Sequence, residues 1–353
     1  MTQPWLIPIG GFLGAGKTTL ILAAARILSA RGLKCAAILN DQGGDLVDSA
    51  YATSQGLTSN EVTGGCFCCR FSDLMDKADE LLALSPDVIF LEPVGSCTDL
   101  SATILQPLKH GFAHQYRLAP LTVVVDPARA ADLSDLNIAF LFERQCEEAD
   151  LVLFNKSDKT AIDRSVTVAD RIGDVRRRSI SALTGDGVAA WLDELLSGAL
   201  PIGGKLLEID YQKYARAEAA LGWLNWSAAL RLTTPLSPAA LVGPWLDSLQ
   251  QALTNSGATI AHLKAFDQTP SSYLKAALTS NSGDPSVAGD LTASPEREHI
   301  LRLNLRAIID PEPLRALFSN SLASLPGQRF DEHLQCFSPA PPQPEHRYAE
   351  IVD

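Results

Sequence analysis

The first two hundred residues alternate short, mostly apolar runs with longer stretches in which apolar residues recur every three or four positions. The short runs Trp5–Ile9, Cys35–Asn40, Val88–Leu91, Leu121–Asp126, Leu151–Phe154 and Arg178–Ala182 predict strands. Thr18–Ser29 and Leu74–Leu84 carry the helical period. Strands alternating with helices in this way predict an α/β fold, a mostly parallel sheet covered by helices. Pro8 is an awkward member of the first strand, because it cannot donate a ladder hydrogen bond, and it marks an end or an irregularity there.

Past Leu200–Lys205, where a proline and two glycines interrupt the pattern, the order of elements changes. Trp223–Leu232, Thr259–Phe266, Tyr273–Thr279 and His299–Ile308 read as strands, Pro238–Leu253 as an amphipathic helix, and a short helix starts near Pro311. That is a smaller α+β domain on a mixed or antiparallel sheet. Asn281–Glu296, rich in Ser, Gly, Asp and Pro, reads as a mobile loop, and the tail containing PAPPQP as extended or disordered. At 353 residues the chain exceeds one ordinary core. The expected division is a first domain over 1–200, a linker over 201–220, a second domain over 221–337 and a Pro-rich tail over 338–353.

Composition narrows the class. With 46% hydrophobic and 20% charged residues the chain reads as a soluble globular protein. A net charge of −12 repels phosphate backbones and argues against nucleic acid as a partner. No apolar run is long enough to span a bilayer, so no membrane partner is expected. The opening MTQPWLIPIGG lacks a basic segment of the secretory kind. Seven cysteines, three of them within four positions, do not form a disulfide framework, so a reducing cytoplasm is the expected compartment.

The chemistry begins at Gly11-Phe12-Leu13-Gly14-Ala15-Gly16-Lys17-Thr18, which fits the phosphate-loop pattern between a predicted strand and a predicted helix. Gly11, Gly14, Ala15, Gly16, Lys17, Thr18 and Thr19 are the expected phosphate-binding residues. There Lys17 reaches the β- and γ-phosphates and Thr18 places its hydroxyl on Mg²⁺. Asn155-Lys156-Ser157-Asp158 follows an apolar strand, as the guanine-reading segment of GTPases does. The Asp158 carboxylate suits the N1–H and amine of guanine, Asn155 braces the loop, and the Lys156 stem lies along the base. Ser181-Ala182-Leu183 can offer a backbone N–H to the guanine oxygen. Val88–Glu92 is a strand ending in a carboxylate, so Glu92 is the candidate to hold a magnesium-bound water or to orient the attacking water, and Asp41 is a second carboxylate near Mg²⁺.

Gly64-Gly65-Cys66-Phe67-Cys68-Cys69 offers three soft thiolates suited to Zn²⁺ or Cu(I), in a pattern that makes a poor core segment. The fourth position of such a site falls to Asp45, Asp48, a water or a partner's group. Cys35, Cys97, Cys146 and Cys336 read as structural. The six histidines form no cluster beyond His110 and His114.

In this order GFLGAGKTT, the CxCC of Cys66–Cys69, Glu92-Pro93-x-Gly95 and Asn155–Asp158 resemble the CobW-like GTPases, relatives of the nickel-insertion GTPases of hydrogenase and urease maturation. The resemblance implies a GTPase domain, a smaller C-terminal domain, and handling of Zn²⁺ or Co²⁺ for a client metalloprotein. Val94 stands where that family usually has Thr or Ser, Gly44 stands where it often has an acidic residue, and no histidine-rich stretch is present. The last departure favours metal transfer or sensing over storage. A GTP-gated assembly chaperone with structural cysteines and a P-loop small-molecule kinase are the alternatives; the guanine segment counts against the kinase.

Overall fold

The computed structural model describes residues 3–129, 135–159, 172 and 175–352. Its first sheet contains β1 (Trp5–Gly10), β2 (Cys35–Asn40), β3 (Thr58–Val62), β4 (Val88–Glu92), β5 (Arg117–Leu118), β6 (Thr122–Val125), β7 (Leu151–Phe154) and β8 (Arg177–Ser179). The strand order is β3-β2-β4-β1-β6-β7-β8, with β5 on β1, and every pairing is parallel. β1 lies between β4 and β6, where the order reverses; in open α/β sheets the crevice at the carboxyl ends of such strands takes ligands. The interior strands β4, β6 and β7 are buried at every position, as a sheet covered on both faces requires.

Pro8 sits inside this sheet. Its neighbour Leu6 accepts a hydrogen bond from Ala119, so by alternation the Pro8 nitrogen faces the same side. On that side β1 pairs with β5 at Trp5 and Leu6 and with β6 only from Ile9. The proline therefore falls at the seam between two partner strands, where its missing N–H costs no ladder bond.

The second sheet contains β9 (Leu221–Leu236), β10 (Thr259–Gln268), β11 (Tyr273–Leu278), β12 (Ser286–Gly289), β13 (Glu296–Ile308) and β14 (Gln328–Phe337). It is antiparallel, in the order β12-β11-β10-β13-β9-β14. The helices Pro238–Asn255 and Pro311–Ser321 supply apolar faces to a core in which Trp226, Trp245 and Phe318 meet edge-on or tilted, 5.4–6.1 Å between ring centroids. Ser237 caps the first of these helices, its hydroxyl accepting the Ala240 N–H.

The segment Asn281–Glu296, expected as a mobile loop, contains β12, which pairs with β11 from Ser286 to Gly289. The expected linker 201–220 contains the helix Tyr211–Ala219, whose first turn is capped by Asp210 accepting the Gln212 and Lys213 N–H groups.

Contacts group the chain as Met1–Gln42, Ala52–Ala217 and Pro341–Asp353 in one unit, and Gly43–Tyr51 with Glu218–Ala340 in the other. By sequence pattern 43–51 fall in the first domain and the tail in neither. Residues 43–51 join the second unit through Asp48, which sits between Lys264 at 2.5 Å and Lys275 at 3.0 Å. Burial alone would raise the Asp48 carboxyl, but the two ammonium groups outweigh it and hold the group well below the usual range. No described helix is long and apolar enough to cross a membrane.

Candidate functional site

The phosphate loop runs from the end of β1 into the helix Lys17–Ala30. Gly16 takes φ of 101°, and a Cβ there would lie 2.4 Å from the Asn155 amide nitrogen, so only glycine allows the loop to close against Asn155. The first turn of the helix carries no acidic residue, which leaves its positive end for an anion. Lys17 is buried and donates to the Gly11 carbonyl at 2.9 Å. Thr18, also buried, donates its hydroxyl to Glu92 Oε1 at 3.0 Å. Gly11, Gly14, Ala15 and Thr19 complete this turn of chain. A helix N-terminus, a buried ammonium and a hydroxyl beside a carboxylate form a donor set that fits a nucleotide phosphate with its divalent cation.

The residues expected to read the base lie beside that loop. Asn155 donates from its amide to the Ala15 carbonyl at 2.8 Å and accepts the Ala182 N–H at 2.9 Å, so it ties the phosphate loop to the segment after β8. Lys156, with φ of 63°, donates to the Gly14 carbonyl at 3.0 Å and to Asp126 at 2.6 Å. Asp158 is exposed and accepts the Ser181 hydroxyl at 2.6 Å. Of the backbone donors expected to face guanine, Ser181 N–H goes to the Asp186 carbonyl and Ala182 N–H to Asn155. Leu183 stands at the exposed edge of the same turn.

Glu92 and Asp41 come from adjacent strands, with Leu39 of β2 paired to Glu92 of β4 and Asp41 two residues further on. Asn40, buried beside Asp41, braces the cysteine turn. Its amide donates to Val62 and Gly65 carbonyls at 2.9 and 2.8 Å, and its oxygen accepts the Phe67 N–H at 2.7 Å. The three sulfurs that follow converge: Sγ of Cys66 lies 2.7 Å from Cys68 and 3.3 Å from Cys69, and Cys68 lies 3.8 Å from Cys69. Hydrogen bonds from Cys68, then Cys69, then Cys97 hold the Cys66 thiol well below its ordinary range. Hydrogen bonding with Cys66 pushes Cys68 up, and Cys69 up to about 11. Three converging sulfurs are a donor set of the kind a soft metal takes.

A family model described as the CobW/HypB/UreG nucleotide-binding domain matches residues 5–181. The chain belongs to this family. Among curated proteins of the family's kind, it is 30% identical over 162 residues to the zinc chaperone YeiR of Escherichia coli (strain K12), covering 43% of this chain and 46% of that protein. It is 31% identical over 223 residues to the zinc chaperone CobW of Sinorhizobium sp, covering 52% and 60%. The match thus spans about half the length of the curated relatives. Of solved structures, Zn(II)-bound YjiA GTPase from E. coli aligns with TM-score 0.40 and 17% identity over 91% of this chain and 99% of that one. HypB from Helicobacter pylori in complex with nickel aligns with TM-score 0.42 and 15% identity over 55% and 86%.

This CobW/HypB/UreG-family site holds residues that the sequence reading did not single out. Asp126, at the end of β6, pairs with Lys156, and a carboxylate closing a strand was the signal available for it. Gln145 donates to the Gly95 and Cys97 carbonyls at 3.0 and 2.8 Å and pins the loop after Glu92. The tail is extended, as expected, and fixed rather than disordered. Gln343 N–H donates to Cys69 Sγ at 3.1 Å, and Glu345 N–H to the Cys68 carbonyl at 2.9 Å. The Glu345 carboxylate accepts both the N–H and the hydroxyl of Ser72 at the start of the helix Phe71–Leu82. Asp48, one of the carboxylates weighed as a fourth metal ligand, is instead held by its two lysines.

Glu148 is fully buried, accepting from the Thr98 hydroxyl at 3.1 Å and the Ser101 N–H at 2.9 Å. Burial is the main reason its carboxyl is pushed up to about 8 from 4.5. A carboxyl raised on folding is protonated in the folded state where the unfolded state has lost its proton. Stability from this group therefore falls as pH rises from about 4.5 through 8. Glu148→Gln keeps an acceptor for Ser101 and gives Thr98 a donor, so it removes the penalty. Urea melts should show the variant more stable than the parent by on the order of 3 kcal/mol at pH 9, with the gap closing near pH 5. A gap independent of pH would contradict the shift.

Proposed function

We propose that this chain binds and hydrolyses GTP in the cytoplasm and uses the nucleotide to control the holding and release of Zn²⁺ (or Co²⁺) for a client metalloprotein. The observation that carries the reading is the convergence of Cys66, Cys68 and Cys69, with all three sulfurs within 4.8 Å of one another, on a turn braced by the residue preceding Asp41. Three thiolates match the soft-ligand preference of zinc, and the buried positions of two of them exclude competing ligands. The zinc chaperones among the curated relatives support the choice of metal.

In this reading Gly11, Gly14, Ala15, Gly16, Lys17, Thr18 and Thr19 hold the phosphates, with Lys17 leaving the Gly11 carbonyl to meet them. Thr18, Asp41 and Glu92 are the residues that would hold Mg²⁺, directly or through water. Bound there, Mg²⁺ supplies neutralising charge at the phosphates. Glu92 orients the attacking water, and Lys17 offsets charge that develops on the transferred group. Asp158 reads the guanine edge, Lys156 covers the base, and Asn155 keeps both in register with the phosphate loop. Ser181 orients Asp158 and, with Ala182 and Leu183, shapes the turn that meets the guanine oxygen.

If the nucleotide controls the metal, zinc affinity differs between the complexes with GDP and with a non-hydrolysable GTP analogue. A coupling of about 1–3 kcal/mol corresponds to about 5–150-fold. Competition titration against a chromophoric chelator in each nucleotide state measures it, and a triple Cys66, Cys68, Cys69→Ser variant should take up no zinc in either. Equal affinities in the two states would leave a GTPase that does not gate its metal.

A further inference from the structure

The thiol cluster has one accessible side. Cys66 and Cys68 are buried and Cys69 alone of the three is half-buried, so an acceptor reaches the sulfurs past Cys69. The chain itself covers that side. Gln343 N–H donates to Cys69 Sγ at 3.1 Å, and Glu345 N–H to the Cys68 carbonyl at 2.9 Å. In an extended segment alternate N–H groups point the same way, so both of these face the cysteine turn. Pro344 falls between them, where its missing N–H costs no bond.

Two charged side chains clasp the segment in place. The Glu345 carboxylate accepts the Ser72 N–H at 2.9 Å and its hydroxyl at 2.7 Å, in the first turn of the helix Phe71–Leu82, where the dipole favours negative charge. Two residues on, Arg347 donates to Asp99 at 2.7 Å and to the Leu207 carbonyl at 2.9 Å. Asp99 is 1% exposed, takes the Tyr211 hydroxyl on the same oxygen at 2.7 Å, and lies on the loop that follows Glu92. The hold is nevertheless shallow. No residue from Gln343 to Val352 is buried, so hydrogen bonds rather than apolar area keep the segment down. Such a segment opens locally at a small part of the cost of global unfolding. Pro341, Pro342 and Pro344 keep the lifted chain extended, which lowers the entropy lost on closing again.

We propose that Gln343–Val352 is a displaceable strap that closes the accessible side of the cluster of Cys66, Cys68 and Cys69, clasped by Glu345 at Ser72 and by Arg347 at Asp99. The cargo rests on the zinc reading above; the cover itself does not. Closed, the strap gives Cys69 an N–H donor and shuts out competing ligands, and hydrogen bonds to a ligating group strengthen its hold on a metal. Open, Cys69 Sγ is bare to a thiolate or imidazole of an acceptor, and the metal passes by exchange of one protein ligand for another. An acceptor therefore has to displace the strap before it takes the metal. Movement of the loop that carries Asp99 loosens the same clasp.

A double variant, Glu345→Ala with Arg347→Ala, removes both clasps from exposed positions and leaves every cysteine in place. In the metal-free full chain, peptide mapping should show Cys69 of the variant reacting with iodoacetamide about tenfold faster than in the parent, or more. Cys35, outside the cluster, should keep its rate. Equal rates at Cys69 overturn the proposal, and so does an equal acceleration at Cys35, which would show general loosening rather than a lifted cover. GTP binding checks that the variant keeps its fold. Glu345→Gln alone, which keeps the side-chain shape and loses the charge, should accelerate Cys69 less and in the same direction. Loaded with one equivalent of Zn²⁺ and mixed with excess chromophoric chelator, the double variant should release metal about tenfold faster than the parent, or more. Unchanged release overturns the proposal even where Cys69 labels faster. A parent chain that takes up no Zn²⁺ removes the zinc reading, and the labelling comparison alone then decides the strap.

Discussion

The Lys17→Ala protein is expected to lose GTP turnover by about 10²–10³-fold or more while melting no lower than the parent chain. The two halves of that expectation come from the same geometry. Lys17 opens the helix Lys17–Ala30, so its charge faces the positive end of the helix dipole, with no acidic residue in the first turn to relieve it. In the absence of nucleotide the position is a cost of about 0.3–1 kcal/mol, partly offset by the hydrogen bond to the Gly11 carbonyl. Alanine, a better helix former, removes that cost. The ammonium is useful only when phosphate is present, and then it is nearly buried, where charge is poorly screened. Steady-state hydrolysis and thermal melts of both proteins without nucleotide check the pair of expectations. Unchanged turnover would remove Lys17 from the phosphate site. A large fall in melting temperature would show that the residue is structural.

The parts of the site legible in sequence are those whose chemistry is local. The phosphate loop, Asn155–Asp158 and the CxCC turn each place their functional groups within a few residues, and each follows an apolar strand or a glycine turn. Cys97 had no such signal. A single cysteine carries no spacing, and its burial follows only from the folding of β4 and the loop after it. Gln145 was silent for the same reason, since it acts through two backbone carbonyls of a distant loop.

Of the strands that pattern did not reveal, β5 is only two residues long, and the other three share one physical property. β3, β12 and β14 all lie at the edge of their sheets, where one side of the strand meets no neighbour. Their residues TSNEV, SVAG and QRFDEHLQCF are mostly exposed or half-buried, so nothing demanded an apolar alternation. Interior strands such as β4 and β7 had to bury every side chain and therefore announced themselves. The tail escaped for a related reason. It is held through backbone N–H groups, at Gln343, Glu345, Tyr348 and Val352, which composition does not report.

Asp158→Asn should turn a guanine site into a xanthine site. Guanine presents two donors, N1–H and the exocyclic amine, and a carboxylate answers with two acceptors. Ser181 already fixes one of those acceptors, donating its hydroxyl to Oδ1 at 2.6 Å. In the asparagine variant the same hydroxyl favours the rotamer with the amide oxygen toward it, because its own oxygen already accepts the Thr184 N–H at 3.2 Å and its proton is left to donate. The amide nitrogen is then turned outward as a donor, matching the carbonyl that xanthine carries in place of guanine's amine. A polar site that loses its complement in this way discriminates by roughly 10⁴-fold, because the mismatched donors are desolvated without partners. Titration of both proteins with fluorescent GTP, competed by XTP, GTP and ATP, measures the exchange. The parent chain should prefer GTP over XTP and ATP, and the variant XTP over GTP. The Ser181 contact adds a further condition. In a Ser181→Ala background the amide is free to rotate, so the xanthine preference of Asp158→Asn should weaken while Asp158, with two equivalent oxygens, still reads guanine. A parent protein that binds ATP as tightly as GTP would show that Asp158 does not face a base at all.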